Sequence, residues 1–330
     1  MDKSKAFISR FLAFLLAGSM LCCAMQPALA QDYPGKPVRI VVPYPPGGFN
    51  DTLARTVGDR LAKLWNVSVV VDNRPGGNTV LGNTLVAKSP ADGYTMLITP
   101  LPFSALPSLY GARLPYNALK DFAPLVWAGS TQNALVVRNE LGISSVKELI
   151  DFARKNPGKL NYGSTGSGSS NHLSMELFMS MSGTKMTHIP YKGSAPAVMA
   201  MLGGEIDVLF DNVPNVVQQI KAGKLKAIGV TGTGRAPLLP EVPTVAESGV
   251  PGYEVNVWFG MQMPAGTPKA VVDRANQDIV RILRDPDVVK QFRDQGVAVV
   301  ASTPEAFSEL LQKEVPKWTK VVEEAGVKVE

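Results

Sequence analysis

The chain has 330 residues, 45% of them apolar, and its 33 lysines and arginines against 28 acids give a formal charge of +5. The basic residues are scattered rather than gathered into a stripe, which argues against a nucleic-acid partner. Cys22 and Cys23 are the only cysteines, so disulfides, thiolate metal sites and a cysteine nucleophile are excluded from everything beyond them.

The N-terminus reads as an export signal. Lys3, Lys5 and Arg10 flank an apolar run from Phe11 to Cys23, and Ala28-Leu-Ala30 offers a small-x-small cleavage site before Gln31. The run falls short of the roughly 20 residues of a membrane anchor. Leu21, ahead of Cys22, is too large for a lipidation site. Without residues 1–30, which carry +2 of the +5, 300 residues remain at +3. That is enough chain to bury two cores.

Strand-like and helix-like runs then alternate. Val38–Val42 predicts a strand, and Leu53, Val57, Leu61 and Leu64 mark one face of the helix after it. A strand over Val67–Val71, a Gly-rich turn, a second helix and a strand over Tyr94–Thr99 continue the series. The rhythm returns with strands at Leu160–Tyr162, Met186–Pro190, Ile206–Phe210 and Leu225–Val230, and helices after Ser169, Ser194 and Pro214. Such alternation predicts parallel βαβ units with helices on both faces of each sheet. Between the two series, Asp121–Val137 predicts one long strand crossing from lobe to lobe, and a second crossing is expected near Pro251–Met263. At the C-terminus, Phe307, Leu311, Val315, Trp318 and Val322 have helical spacing. Two α/β lobes joined by a hinge follow, the first of them discontinuous.

Two strand-to-helix turns draw the chemistry. Pro43–Asp51 places Gly47 and Gly48 where a backbone can approach a ligand, with Asn50 or Asp51 as the expected N-cap. A Pro-Gly turn also joins strand to helix without any ligand. Gly163–Leu173, reading GSTGSGSSNHL, has the same build but ends as no known nucleotide loop: Asn171 replaces the last glycine of a dinucleotide fingerprint, and no Gly-Lys-Ser/Thr follows. Ser167 and Ser169 lack a Gly-x-Ser-x-Gly frame, so a serine hydrolase using either with His172 is the weaker reading. An anion cradle of hydroxyls and backbone N–H groups at a helix N-terminus remains, beside the alternative of a plain Ser/Gly linker. His172 and His188 have no His or Cys partner at metal spacing. Asp207 and Asp211 straddle a strand, so they form no helical pair. Arg74 is expected to cap carbonyls, and Lys192 to face either cleft or solvent.

These stretches together resemble the extracytoplasmic solute receptors of tripartite tricarboxylate transporters, the Bug proteins. The shared motifs include Pro45-Pro-Gly-Gly-x-x-Asp51, Asn73-Arg-Pro-Gly76, Pro90-x-Asp-Gly-Tyr94 and Gly166-x-Gly-Ser169 with His172-Leu173. His188-x-Pro-Tyr-Lys-Gly-Ser-Ala-Pro196, Pro240-x-Val-Pro-Thr244 and Pro264-Ala-Gly-Thr-Pro268 extend them through almost the whole chain. The resemblance implies an α/β, type II periplasmic-binding-protein (Venus-flytrap) fold with two hinge crossings. Lobe 1 would comprise residues 31–130 and 254–330, and lobe 2 residues 131–253. It implies a non-enzymatic receptor, without metal or cofactor, that closes on a small carboxylate-bearing anion. Gly47, Gly48, Phe49, Asn50 and Asp51 would meet Ser164, Thr165, Gly166, Ser167, Gly168, Ser169, His172 and Asp211 around it. The turn after Thr99 and Asn212 would add contacts. A periplasmic monomer serving membrane permease subunits is expected, or an orphan sensor of the same ligand class. Phe49 stands where the family often has a small residue, which suggests an apolar or aromatic ligand body. Asn78 and Thr79 replace residues that are frequently Gly or Ala and so reshape their turn.

Overall fold

The computed structural model describes residues 33–327 and 329; the expected leader lies outside them. The chain divides into two compact units, residues 1–35 and 36–330, and every strand and helix described belongs to the second. Among the described residues no helix is long and apolar enough to cross a membrane.

The second unit holds two sheets. β1 (Val38–Val42), β2 (Val69–Asn73), β3 (Thr95–Pro100) and β4 (Phe122–Thr131) belong to the first, and β5 (Asn133–Arg138), β6 (Asn161–Ser164), β7 (Thr187–Pro190), β8 (Val208–Asn212) and β9 (Leu225–Val230) form the second. β10 (Val257–Pro264) and β11 (Ala298–Val299) return to the first. The orders are β11-β4-β10-β3-β1-β2 and β7-β6-β8-β5-β9. Parallel pairing of β2, β1 and β3, and of β7, β6 and β8, is what the βαβ rhythm predicts. β5 and β10 enter antiparallel because each follows a crossing between sheets.

Helices fill the connections: α1 (Phe49–Trp65), α2 (Val80–Ala87) and α3 (Leu106–Tyr110) lie between β1 and β4. α4 (Val146–Lys155), α5 (Ser170–Ser182), α6 (Ser194–Leu202) and α7 (Val213–Lys221) serve the second sheet, and α8 (Lys269–Leu283), α9 (Pro286–Asp294) and α10 (Pro304–Ala325) follow β10. Phe307, Leu311, Val315, Trp318 and Val322 are all buried on α10, as their spacing predicts.

Several expectations are corrected. The single crossing strand is two strands broken at Gln132, whose carbonyl accepts from Val213 N at 3.0 Å. Its side chain bonds Gly234 O at 3.1 Å and Gly232 N at 3.2 Å, tying the first crossing to the segment that follows β9. The break occurs because one strand cannot serve two sheets whose hydrogen-bonding directions differ. The second strand starts at Val69 rather than Val67. On α1, Leu64 is 40% exposed and Trp65 is buried in its place. In that last turn the partner is α8, whose Asp278 accepts from Trp65 Nε1 at 2.8 Å. Arg74 caps no carbonyl; its Nε donates to both Asp72 oxygens, at 2.9 and 3.0 Å. Lys192 is solvent-exposed.

Gly260 on β10 shows how tightly α10 is seated. A Cβ there would stand 2.3 Å from Phe307 Cζ and under 3.0 Å from two more atoms of a fully buried ring. Gly260→Ala is therefore expected to destabilise the protein by about 1–3 kcal/mol, the usual effect of overpacking. Urea unfolding monitored by tryptophan fluorescence checks it, and an unchanged midpoint would mean that Phe307 yields freely.

Candidate functional site

A cavity of about 290 Å³ opens where the carboxyl ends of β1, β3, β6 and β8 point toward each other. Ligands of open α/β sheets bind at that end of the strands, because the turns leaving it feed helix N-termini. Asn50 sits in the first turn of α1, Ser170 and Asn171 open α5, Ser194 opens α6 and Asn212 caps α7; all five line the cavity. The first N–H groups of a helix have no partner within it. Each terminus also carries roughly half a positive charge. Among the described residues lining the cavity there is no lysine or arginine, and Asp211 is the one acid. The cavity thus presents neutral donors and helix dipoles, a field that favours an anion.

The first-lobe turn is stiffened by its own side chains. Neither Asn50 nor Asp51 caps α1, contrary to expectation. Gly48 is the N-cap, its carbonyl accepting from Asp51 N at 3.0 Å and Thr52 N at 3.1 Å. The Asp51 carboxylate folds back on Gly47 N at 3.2 Å and takes Arg55 Nε at 2.9 Å and Asn73 Nδ2 at 3.0 Å. The hydrogen bonds from Arg55, then those of Asn73 and Gly47 N, hold its carboxyl below the usual range despite its burial. Asp51 is engaged in bracing the turn, and Asn50 is the member of Gly47–Asp51 that lines the cavity. Phe49 packs its ring on Phe259 at 4.6 Å and Phe292 at 4.9 Å. It therefore backs the cavity wall formed by Phe259 rather than forming that wall itself.

In the second lobe, Thr165, Gly166, Ser167 and Ser169 line the cavity, while Ser164, Gly168 and His172 are not among its lining residues. Ser169 caps α5, its Oγ accepting from His172 N at 3.3 Å, and Thr165 Oγ1 donates to Asn171 Oδ1 at 2.8 Å. His172 lies behind the turn, its Nδ1 accepting from Gly168 N at 3.0 Å and its Nε2 3.3 Å from Glu176. That geometry leaves no Ser167–His172 or Ser169–His172 nucleophile pair of the kind a hydrolase needs. Ser164 Oγ does meet His188 Nε2 at 2.6 Å, yet Ser164 is fully buried and no substrate can approach it.

Asp211 is the hub of the floor. Asn212 N at 2.7 Å, Asn215 Nδ2 at 2.9 Å, Asn171 Nδ2 at 3.1 Å and the Ser194 hydroxyl all donate to it. Burial without a cation pushes its carboxyl above the ordinary range, and those four donors pull the other way without cancelling the effect. The first lobe reaches across at Asn78, whose Nδ2 donates to Ser167 O at 3.3 Å. Tyr44, Pro100 and Pro102 complete that side. Burial, with a smaller contribution from Tyr116, keeps the Tyr44 phenol protonated well beyond its usual range, so it can only donate or accept as a neutral group.

Asn215, Val257 and Phe259 were not legible in sequence, and Tyr44 was legible only as part of the Pro43–Asp51 turn. Val257 and Phe259 arrive on β10, which pairs Phe259 with Pro100, a neighbour 159 positions away in the chain. Asn78 had left a signal as an unusual residue in its turn, and Asn212 and the turn after Thr99, through Pro100 and Pro102, line the cavity where contacts were expected.

A larger cavity of about 620 Å³ lies beside the hinge, between Gln132 and Leu238 on one side and Arg293 and Val297 on the other. Its walls are mostly apolar, and it is not at the carboxyl ends of the parallel strands. The smaller cavity is the candidate site on physical grounds. Its volume falls at the low end of ligand cavities, about 300–1,000 Å³, which suits a small molecule.

Residues 53–327 match the model of the family described as tripartite tricarboxylate transporter family receptor. The chain is 36% identical to protein BugT of Bordetella pertussis over 307 residues, covering 92% of this chain and 93% of that one. Among solved structures it is similar to Rpa4515 of R. palustris with adipate, with a TM-score of 0.79, 36% identity and coverage of 90% and 100% of the two chains. MatC from Rhodopseudomonas palustris with bound malate gives a TM-score of 0.76 at 30% identity, covering 88% of this chain and 99% of that one.

Proposed function

The chain belongs to the tripartite tricarboxylate transporter receptor family, and from that premise we propose that its cleft takes up a small carboxylate-bearing organic anion for delivery to membrane permease subunits. The observation that carries the ligand class is the meeting of helix N-termini and neutral donors in a cavity free of cations among its described lining residues. On this reading one carboxylate lies between the turn around Asn50 and that of Thr165–Ser169, and Tyr44, Pro100 and Phe259 contact the rest of the ligand. The similar structures that hold adipate and malate make small dicarboxylates the first probes.

The energetics suit a receptor that must also let go. Four to six hydrogen bonds to a charged group, at about 1.5–3 kcal/mol each, give roughly 6–18 kcal/mol before ordering terms. Ordering ligand and lobes costs about 4–15 kcal/mol. Micromolar binding, about −8 kcal/mol, lies within that difference. The protein would act as a periplasmic monomer. Lobe 1 would comprise residues 31–130 and 254–330, and lobe 2 residues 131–253.

A thermal-shift series tests the reading, using protein unfolded and refolded to strip co-purified ligand. A ligand at a hundredfold excess over Kd adds about 2.7 kcal/mol of stability. Stabilisation by adipate, malate or a related acid, and none by the matched diamide, is the expected result. Equal response to acid and amide, or to neither, would remove the carboxylate assignment.

A further inference from the structure

Behind the Thr165–Ser169 turn lies a small polar stack that the ligand reading leaves unused. The His172 and His188 rings are parallel, 4.0 Å apart between centroids with 11° between planes, and Tyr162 stacks on His188 at 4.9 Å. Tyr162 and His172 are buried and His188 is half-buried. Each imidazole holds one part of the turn: Gly168 N donates to His172 Nδ1 at 3.0 Å. Ser164 Oγ, which accepts from Gly166 N at 3.1 Å, meets His188 Nε2 at 2.6 Å.

The donors fix the tautomers. A backbone N–H can only donate, so His172 Nδ1 must be bare and its proton must sit on Nε2, facing Glu176. Glu176 also accepts the Tyr162 hydroxyl. Ser164 is fully buried and His188 Nε2 is the one acceptor its hydroxyl meets among the described residues, so every hydrogen finds a partner when that hydroxyl donates and the His188 proton sits on Nδ1. The titratable groups facing the pair are Tyr162 from β6, Glu176 from α5 and the two rings themselves.

We propose that His172 and His188 are positioning residues for the ligand turn, acting as a neutral stacked pair that aims the Gly166–Ser169 backbone at the bound anion. The proposal rests on the reading of that turn as ligand-binding. A proton added to His172 Nδ1 would set N–H against the Gly168 N–H, and one added to His188 Nε2 would displace the Ser164 proton. The first event breaks the Gly168 contact and releases the turn; the second turns the Ser164 hydroxyl, whose oxygen then accepts from both Gly166 N and His188 Nε2 and leaves its hydrogen without a partner in a buried site. Two cations cannot share a 4.0 Å stack. Burial, and next the proximity of His172, push the His188 imidazole down to about 4, which keeps that ring neutral at ordinary pH.

The test compares an isosteric variant with a deleting one. Asparagine places its Oδ1 near the position of imidazole Nδ1, and glutamine can place a polar end near Nε2. His172→Asn and His188→Gln are expected to bind adipate or malate within about threefold of wild type, whereas His172→Leu loses about tenfold, the equivalent of one hydrogen bond. Circular dichroism and the melting temperature confirm that each variant folds. Should His172→Leu fail to fold, the unliganded wild type still decides the matter by ¹⁵N NMR. The imidazole shifts then report a bare His172 Nδ1 and a bare His188 Nε2 at pH 7, and the Gly166 and Gly168 amides move together with the rings as acid is added. A folded His172→Leu that binds like wild type would overturn the proposal, as would glycine amides that ignore the imidazole titration. If neither acid binds wild type while the amides still follow the rings, it is the ligand class that falls, and the positioning role stands.

Discussion

Asp211→Leu is expected to destabilise the protein by about 3–5 kcal/mol and to abolish measurable binding of a small dicarboxylate, whereas Asp211→Asn folds within about 1 kcal/mol of wild type. The asymmetry follows from what Asp211 holds. Its carboxylate gathers donors from the ends of three helices and one strand turn: Asn171 in α5, Ser194 at the start of α6, and Asn212 N with Asn215 in and before α7. Leucine leaves those donors without an acceptor, and a buried donor without a partner costs about 1–3 kcal/mol. Asn171 keeps one bond, to Phe210 O at 2.8 Å, which limits the loss. Asparagine retains an oxygen for the three nitrogens on Oδ1, and its amide can donate to the Ser194 hydroxyl, which rotates to accept. It also removes a buried charge that has no cation beside it, the reason the Asp211 carboxyl is pushed upward. With that negative charge gone from the floor of an anion site, Asp211→Asn binds the acid more tightly than wild type. Denaturant unfolding and calorimetric titration measure both effects. Equal stability of the leucine and asparagine variants would mean that water, not Asp211, satisfies the four donors.

Gly168→Val is expected to weaken dicarboxylate binding by roughly 10- to 100-fold, equivalent to about 1.4–2.8 kcal/mol. Gly168 has φ +79°, where a β-branched residue is strained. A Cβ at this position also stands 2.7 Å from Leu109 Cδ1 and 3.0 Å from Asn78 Nδ2, both reaching over from the first lobe. The contacts with Leu109 and Asn78, like the Asn78–Ser167 hydrogen bond that the intrusion disturbs, join segments that follow strands of the first sheet to the turn after β6 of the second. The strain lowers stability; the lobe contact lowers affinity. Combining Gly168→Val with Asn78→Ala and Leu109→Ala should therefore restore part of the affinity and none of the lost stability. Calorimetry on the single and triple variants separates the two, and failure of the truncations to recover any binding would show that strain in the turn alone accounts for the loss.

Much of the architecture was readable because the local signals were redundant. In α1, Leu53, Val57 and Leu61 recur at helical spacing and are fully buried. The strand Val38–Val42 appears where its apolar run predicts it, and the serine before α5 caps the helix. Where a second, distant partner decided the outcome, the local signal failed. Leu64 and Trp65 compete for the last turn of α1, and Asp278 on α8, more than 200 residues away, settles it for tryptophan. The long apolar stretch through Thr131 shows that a strand exists there but not that Gln132 breaks it, since the break answers to the directions of two sheets.

The candidate site divides in the same way. The sequence by itself determined the glycine- and hydroxyl-rich turns at Gly47–Asp51 and Ser164–Ser169, because positive φ angles and helix starts demand those residue types locally. Only the tertiary structure decided which of their side chains face the cavity. Asp51, Phe49 and His172 turn away to brace, back and aim it, because Arg55 and Asn73, Phe259 and Phe292, and Gly168 and Glu176 offer them partners there. Asn215 joins the lining from α7 and Val257 from β10, brought there by helix packing and sheet pairing. Spacing along a chain fixes what a residue can do with neighbours three or four positions away. The direction a side chain takes depends on the best partner within reach in space, and that partner is chosen by how the two sheets pack.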